Sequence, residues 1–168
     1  MKKMTFVFLV SLIALAFLVA PVSAKTIRTP YEGSEECGDV ITSDAREWFS
    51  EDGVYHVRNG WLACTDSVPG ESRVSGDVFL TVNWNFQFTM THPFGPMWGK
   101  IRLDNEDGYW EGIWVGEITE LEGSSYIYSV IRGFGDYEGL QARANYFKAS
   151  PMSSTYQVTG FIMDPGGE

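Results

Sequence analysis

The sequence predicts an all-β protein whose eight antiparallel strands form a meander closed into a barrel. Three observations predict this fold. Runs of strand length recur between residues 36 and 163, and most alternate apolar with polar or glycine residues. Short turns rich in Gly, Pro, Asn or Asp separate the runs. No long helical segment alternates with them, which excludes a parallel α/β sheet. A two-sheet β-sandwich is the alternative, and the barrel is favoured because closure removes exposed sheet edges.

The eight predicted strands are joined by short connections. They cover residues 36–42, 54–65, 74–90, 97–104, 109–118, 124–134, 140–149 and 155–163. Between the first two strands, residues 44–49 have the length of a single helical turn at most. Hairpin connections of this kind place consecutive strands side by side.

One hairpin predicts a register. If residues 105–108 form a four-residue loop, Leu103 faces Trp110 and Gly99 faces Trp114. Each large side chain then meets a small or medium one, as the filled interior of a small barrel requires. We therefore predict that Trp110 and Trp114 lie inside the barrel.

The outer face of the same hairpin pairs Arg102 with Glu111 and carries Trp98. By the same alternation, the inner face of the strand at 74–90 contains Leu80, Val82, Trp84, Phe86 and Phe88. The strand at 54–65 is expected to turn Tyr55, Val57 and Trp61 inward. Two alternatives stay open for the strand at 124–134: the inward side chains are either Tyr126, Tyr128, Val130 and Arg132, or Ile127 and Ile131.

Residues 1–24 have the features of a cleaved secretory signal peptide. Lys2 and Lys3 precede an apolar run, and a small-x-small site ends at Ala24. The alternative is an uncleaved anchor, although the run is shorter than the roughly 20 residues of a spanning helix. We expect an exported protein, periplasmic or extracellular, with no membrane span after cleavage and with residues 25–168 forming a single barrel domain.

The charge and the cysteines agree with export. The net charge is −10, and without residues 1–24, which hold two lysines and no acid, ten basic residues face 22 acidic ones. This excess of acid argues against nucleic acid as a partner and against anionic membranes. Outside the cytoplasm, Cys37 and Cys64 are expected to form a disulfide. The alternative is a catalytic cysteine, with His56 as its base.

A glycine-rich turn carries a resemblance to a known group of barrels. Residues 133–142 read G-F-G-D-Y-E-G-L-Q-A, a G-x-G-x-[FY]-x-G-x-x-A pattern that resembles the turn of the allene oxide cyclase and dirigent barrels. The W-x-G-x-W-x-G strand before it and the final G-F-I-M-D-P-G-G are similar to small exported bacterial proteins of unknown function. The resemblance covers roughly the last 70 residues and implies an eight-stranded barrel whose end Tyr137 plugs. No position matches a cyclase or dirigent catalytic set.

Catalytic and metal-binding motifs are not found in the sequence. His56 and His92 are the only histidines, and no zinc spacing, nucleophile elbow or phosphate-binding loop occurs. We therefore predict no metal and no cofactor. The acidic turn at 104–107 is expected to be solvated.

Aromatic residues are the remaining feature that could form a binding site, although we favour the simpler interpretation that they fill the barrel. Trp84, Trp110 and Trp114 could line a pocket for a flat apolar or carbohydrate-like ligand, or they could simply fill the barrel. The favoured function is a non-catalytic binding or structural module, whose partner is a small apolar ligand or a protein surface, and which could form a homo-oligomer. The alternative is a cyclase- or dirigent-like enzyme that guides an apolar intermediate, with Tyr128 and Arg132 as polar groups inside.

Overall fold

A computed structural model describes residues 26–166 and contains nine antiparallel strands and one 3-10 turn at Ser72–Val74. The strands are β1 (Ile27–Cys37), β2 (Arg46–Phe49), β3 (Tyr55–Ser67), β4 (Gly76–Phe88), β5 (Pro93–Asp104), β6 (Gly108–Ile118), β7 (Ser125–Gly135), β8 (Gln141–Lys148) and β9 (Thr155–Asp164). No helix in this range is long and apolar enough to cross a membrane. The signal peptide predicted for residues 1–24 lies outside the described residues.

Eight of the nine strands form a closed ring. The sheet order is β1-β9-β8-β7-β6-β5-β4-β3-β2, and an additional pairing of β1 with β3 closes it. One edge of β3 is shared: residues 55–58 pair with β2, and residues 64–67 pair with β1. The predicted meander barrel is therefore confirmed, with β2 attached beside the ring.

Two predictions about the start of the chain are wrong. The first strand is residues 27–37 rather than 36–42, and residues 46–49 form the short strand β2 rather than a helical turn. The inner face of β1 is polar or small at several positions, so the strand lacks the apolar alternation by which sequence patterns are recognised. Proline at position 30 further weakens the strand signal.

The β1–β3 pairing is the shortest contact in the ring, and we call it the seam. It runs from Ser34 opposite Ser67 to Cys37 opposite Cys64. The predicted disulfide between Cys37 and Cys64 is confirmed and joins the two strands across the seam, with Cα atoms 4.0 Å apart. A covalent bond thus holds the place where the ring has the fewest backbone hydrogen bonds.

The predicted hairpin register is confirmed. Leu103 pairs with Trp110 and Gly99 with Trp114. Trp110 is fully buried, and Trp114 exposes only 4% of its surface. On the outer face, Arg102 and Glu111 form an ion pair with 2.7 Å between Nη1 and Oε1. The alternation of large and small side chains therefore predicted both faces correctly.

Some inward predictions are wrong. Trp61 is 44% exposed, because Asn59 adopts a positive φ of 62° and the register shifts between Val57 and Gly60. This bulge reverses the alternation along the rest of β3. Phe88, 54% exposed, lies at the end of β4, beyond the closed part of the barrel.

The two alternatives for β7 are also resolved. Ile131 is buried and Ile127 is half-buried against the core, whereas Tyr128 and Arg132 are exposed on the outer wall. The alternative with Ile127 and Ile131 inside is therefore the correct one, and Tyr128 and Arg132 are not the internal polar groups that the enzyme alternative requires. The inner face of β7 instead alternates isoleucine with Ser125 and Ser129, small residues that leave room for side chains from the facing strands.

One end of the barrel is plugged. The indole Nε1 of Trp110 donates a hydrogen bond of 2.6 Å to the carbonyl oxygen of Arg73, in the β3–β4 connection. Tyr137 stacks on Trp110 with ring centroids 5.2 Å apart, and its hydroxyl donates to Asn105 Oδ1 at 2.8 Å. The expected plugging role of Tyr137 is confirmed. The opposite end holds the ends of β1 and β8 and the start of β9.

We expect Gly99→Ala to destabilise the barrel by about 1–3 kcal/mol, the usual range for overpacking. A methyl group at this position would overlap the carbonyl oxygen of Thr81 and lie 2.7 Å from Trp114 Nε1. Trp114 donates to that same carbonyl at 3.2 Å, so the substitution also disturbs a buried hydrogen bond. Gly38→Ala, whose new methyl group would have only an ordinary contact of 3.7 Å, is the control. Equal unfolding midpoints in urea would contradict the packing account.

Candidate functional site

A cavity of about 170 Å³ lies at the unplugged end of the barrel. Most of its wall is apolar and comes from the side of the ring formed by β3 to β7. The apolar lining residues are Leu62, Leu80, Val82, Trp84, Phe86, Met97, Trp114, Ile118 and Ile127. The remaining wall, from β1 and the residues after it, β8 and β9, carries the polar side chains of Glu35, Lys148 and Tyr156 together with Cys37 and Val40. The cavity is therefore apolar on one side and polar on the other.

The polar side belongs to a row of side chains that crosses the strands in register, which we call the polar row: Asp66, Glu35, Tyr156, Lys148 and Ser125. Glu35 is the direct partner of Asp66 on β3 and of Tyr156 on β9. Directly opposed side chains of this kind have Cβ atoms about 5 Å apart.

The far end of the polar row is held by weaker contacts. Lys148 is the partner of Ser125 on β7, and its Nζ lies 4.7 Å from the ring centroid of Tyr156. The Tyr156 hydroxyl donates to Ser125 Oγ at 3.5 Å. The row thus brings two carboxyls, a phenol, an amine and a hydroxyl to one side of an otherwise apolar interior.

The two carboxyls are buried together. Glu35 exposes 3% of its surface and Asp66 4%. Burial raises the pKa of Asp66 to about 7, with a contact from Tyr146 acting in the opposite direction. Burial and then the charge of Asp66 raise the pKa of Glu35 well above its usual range. The pair therefore keeps a proton at neutral pH that an exposed pair would release.

Two buried phenols lie close to this pair. Burial, and then the charge of Asp66, raise the pKa of both Tyr31 and Tyr146 above the usual value. Both phenols consequently stay neutral under physiological conditions. The Tyr31 hydroxyl donates to the carbonyl oxygen of Arg143 at 3.4 Å.

Several polar atoms of this region have no protein partner within residues 26–166. Trp84 Nε1, Asp66 Oδ1 and Ser129 Oγ are buried without a hydrogen bond. A carboxyl oxygen of Glu35 lies 3.4 Å from the sulfur of Cys37, which has no hydrogen to donate because it is in the disulfide. Buried polar groups nearly always have a partner, so this concentration of unpaired groups points to a binding site.

The five residues predicted to bind a ligand are not all brought together. Trp84 and Trp114 both line the cavity. Trp110 lies at the plugged end, where its indole already donates to Arg73. Tyr128 and Arg132 border separate shallow grooves on the outer wall.

The polar row was missed by the sequence analysis, although one signal was present. Paired cysteines on neighbouring strands turn their side chains to the same face, and residues two positions away share that face. Counting two back from Cys37 gives Glu35, and two forward from Cys64 gives Asp66. The predicted first strand began at residue 36, which left Glu35 outside it.

A metal site and a catalytic cysteine are both disfavoured by the disulfide. Glu35, Cys37 and Cys64 place potential ligand atoms within 4.8 Å of one another, but both sulfurs are bonded to each other and offer no thiolate. His56, considered as a base, stacks on Trp48 on β2, with ring centroids 4.7 Å apart.

Comparison of the chain with protein-family models, with curated proteins and with solved structures yields no match. The resemblance to the allene oxide cyclase and dirigent barrels therefore stays a prediction. The function has to be argued from the cavity and the polar row.

Proposed function

We propose that this protein is an exported, non-catalytic barrel that binds a small and mostly apolar ligand in the cavity at its unplugged end. The observation that carries the proposal is the two-sided lining, in which aromatic and aliphatic side chains face Glu35, Lys148 and Tyr156. The indole Nε1 of Trp84, which also lines the cavity, is buried without an acceptor among residues 26–166. Ligand sites typically combine an apolar wall with a few polar groups that fix the orientation.

The volume supports a ligand of about one ring. A dry cavity of about 150 Å³ is enough to bind benzene in another protein, and this cavity measures about 170 Å³. Trp84 and Trp114 provide flat surfaces on which a ring can pack. We expect dissociation constants of about 0.1–1 mM for simple monocyclic compounds, since each atom of such a ligand contributes little free energy.

Export is supported by the disulfide, since such bonds persist in oxidising compartments. The signal peptide predicted for residues 1–24 agrees with this location. An excess of acidic residues over the whole chain would keep such a protein soluble and separate from anionic surfaces.

Val82→Phe is expected to abolish binding of benzyl alcohol, because the added ring would occupy the cavity that Val82 lines. Titration followed by tryptophan fluorescence or calorimetry measures the loss. Val115→Phe, on the exposed face of β6, is the matched control and should bind like the parent protein. Saturable binding that survives Val82→Phe, or no binding by the parent protein to any monocyclic probe, would contradict the proposal.

An enzyme that shapes an apolar intermediate is the second candidate. The observation that favours it is the buried pair of Glu35 and Asp66 beside the cavity. In such an enzyme, this pair would have the role of internal polar groups that was expected of Tyr128 and Arg132. Mass spectrometry of ligands recovered after incubation separates the two candidates. Unchanged ligand supports the binding module, and a product that disappears in Glu35→Gln supports the enzyme.

A further inference from the structure

We infer that the ligand of this cavity carries a carboxylate, which Lys148 binds at the polar side while the apolar body packs against Trp84 and Trp114. This inference rests on the proposed function and names the chemical class of the ligand.

Among residues 26–166, Lys148 is a cation without an anionic partner. Its side chain is half-buried at the cavity, and its Nζ lies over the ring of Tyr156. In the part of the chain that the structure describes, ion pairs join Arg73 to Glu71 and Arg102 to Asp104 and Glu111, and none involves Lys148. The chain has 22 acidic and 12 basic residues. Nevertheless, no acidic residue of the described range forms an ion pair with the lysine that lines the cavity.

Two other groups of the lining can donate hydrogen bonds to a ligand. Trp84 Nε1 can only donate, and it is buried without an acceptor among residues 26–166. Burial and the charge of Asp66 raise the pKa of Glu35, which favours its protonated form, and that form has one O–H donor beside its acceptor oxygens. The Tyr156 hydroxyl is already directed at Ser125. A ligand that complements this lining must supply acceptors.

A carboxylate fits these requirements best. A carboxylate has only acceptor sites, about four. It is also negatively charged and can therefore form the ion pair that Lys148 does not form within residues 26–166. A ligand ammonium group would meet Lys148 as a like charge. The negative charge of the whole protein is largely screened beyond about 8 Å at physiological salt, whereas a contact inside the cavity is not.

The test compares three compounds of similar shape: benzoate, benzyl alcohol and benzylamine, titrated into the parent protein by calorimetry at pH 6.5. We expect benzoate to bind at least tenfold more tightly than benzyl alcohol, and benzylamine to bind most weakly. Lys148→Met should weaken benzoate about tenfold and leave benzyl alcohol within twofold. Lys100→Met, which removes an exposed lysine from the outer wall, is the matched control and should change neither affinity.

The outcomes separate the two claims. If benzyl alcohol binds as tightly as benzoate, or benzylamine binds more tightly, the inference is wrong while the cavity remains a binding site. If none of the three compounds binds, the proposed function fails as well. An equal loss of benzoate and benzyl alcohol in Lys148→Met would show that the lysine acts only through structure, which also overturns the inference. Should that variant not fold, the ratio of benzoate to benzyl alcohol in the parent protein decides.

Discussion

Replacing both cysteines, Cys37→Ala together with Cys64→Ala, is expected to lower the free energy of unfolding by about 3 kcal/mol. The disulfide joins residues 27 positions apart, and a cross-link of this loop length restricts the unfolded chain by roughly that amount. The bond also lies on the seam, the shortest strand pairing of the closed ring. Guanidinium denaturation of the parent and the double variant measures the difference.

Because the disulfide lies on the seam, hydrogen exchange at the seam residues gives a second, local measurement of its effect. Amide hydrogen exchange at residues 34–37 and 64–67 should accelerate more in the double variant than exchange in β5 and β6, where the pairing is long. The parent protein under reducing conditions is the control and should resemble the variant. A loss below 1 kcal/mol, or exchange that accelerates equally in all strands, would mean that the seam is not the weak point of the barrel.

Stability is expected to fall as the pH rises from about 4 to 8, through the buried carboxyls of the polar row. An unfolded aspartate releases its proton near pH 3.9, whereas folding raises the pKa of Asp66 to about 7. Between these values the folded protein holds a proton that the unfolded chain has lost. The stabilisation is therefore complete at the acid end, is lost as the pH rises, and levels off above the folded pKa.

Asp66→Asn should remove the part of this pH dependence that comes from Asp66. The amide cannot ionise, whereas the pKa of Glu35 stays raised by burial and loses only the smaller contribution from the charge of Asp66. As the pH rises from 4 to 8, we expect the free energy of unfolding of the variant to increase relative to that of the parent by on the order of 2–4 kcal/mol. Asp77→Asn, an exposed position on β4, is the control and should follow the parent.

Denaturation at several pH values tests this expectation, and the difference between the parent and the variant isolates Asp66. Other carboxyls act with the opposite sign: ion pairing and hydrogen bonding with Arg73 lower the pKa of Glu71, which adds stability above pH 4 in both proteins. Parallel pH profiles of parent and Asp66→Asn would show that the carboxyl pair does not behave as a buried pair.

The barrel and one register could be predicted because alternation alone determines them. The hairpin of β5 and β6 sets tryptophans against glycine and leucine, and only one register satisfies both faces. Tyr137 could be placed as a plug because the glycines around it mark a turn at the end of a strand.

The polar row was not predicted because its residues break that alternation. Glu35 and Asp66 occupy inward positions where apolar residues are expected, and only the closing pairing of β1 with β3 brings them together. Asn59 disturbed β3 in a different way, since its bulge, directly before Gly60, turned Trp61 outward. The proposed ligand site thus lies where the local pattern is weakest, which is common at binding sites.

The indole resonances of the six tryptophans test the central claim, that the unplugged end of the barrel is a ligand site. Nitrogen–proton correlation spectra recorded during a benzyl alcohol titration report each indole separately. We expect the resonances of Trp84 and Trp114 to shift and saturate together, while Trp110 at the plugged end and Trp98 on the outer wall stay unchanged. Shifts confined to Trp98 or Trp61, or no saturable shift of Trp84 at any concentration, would contradict the claim.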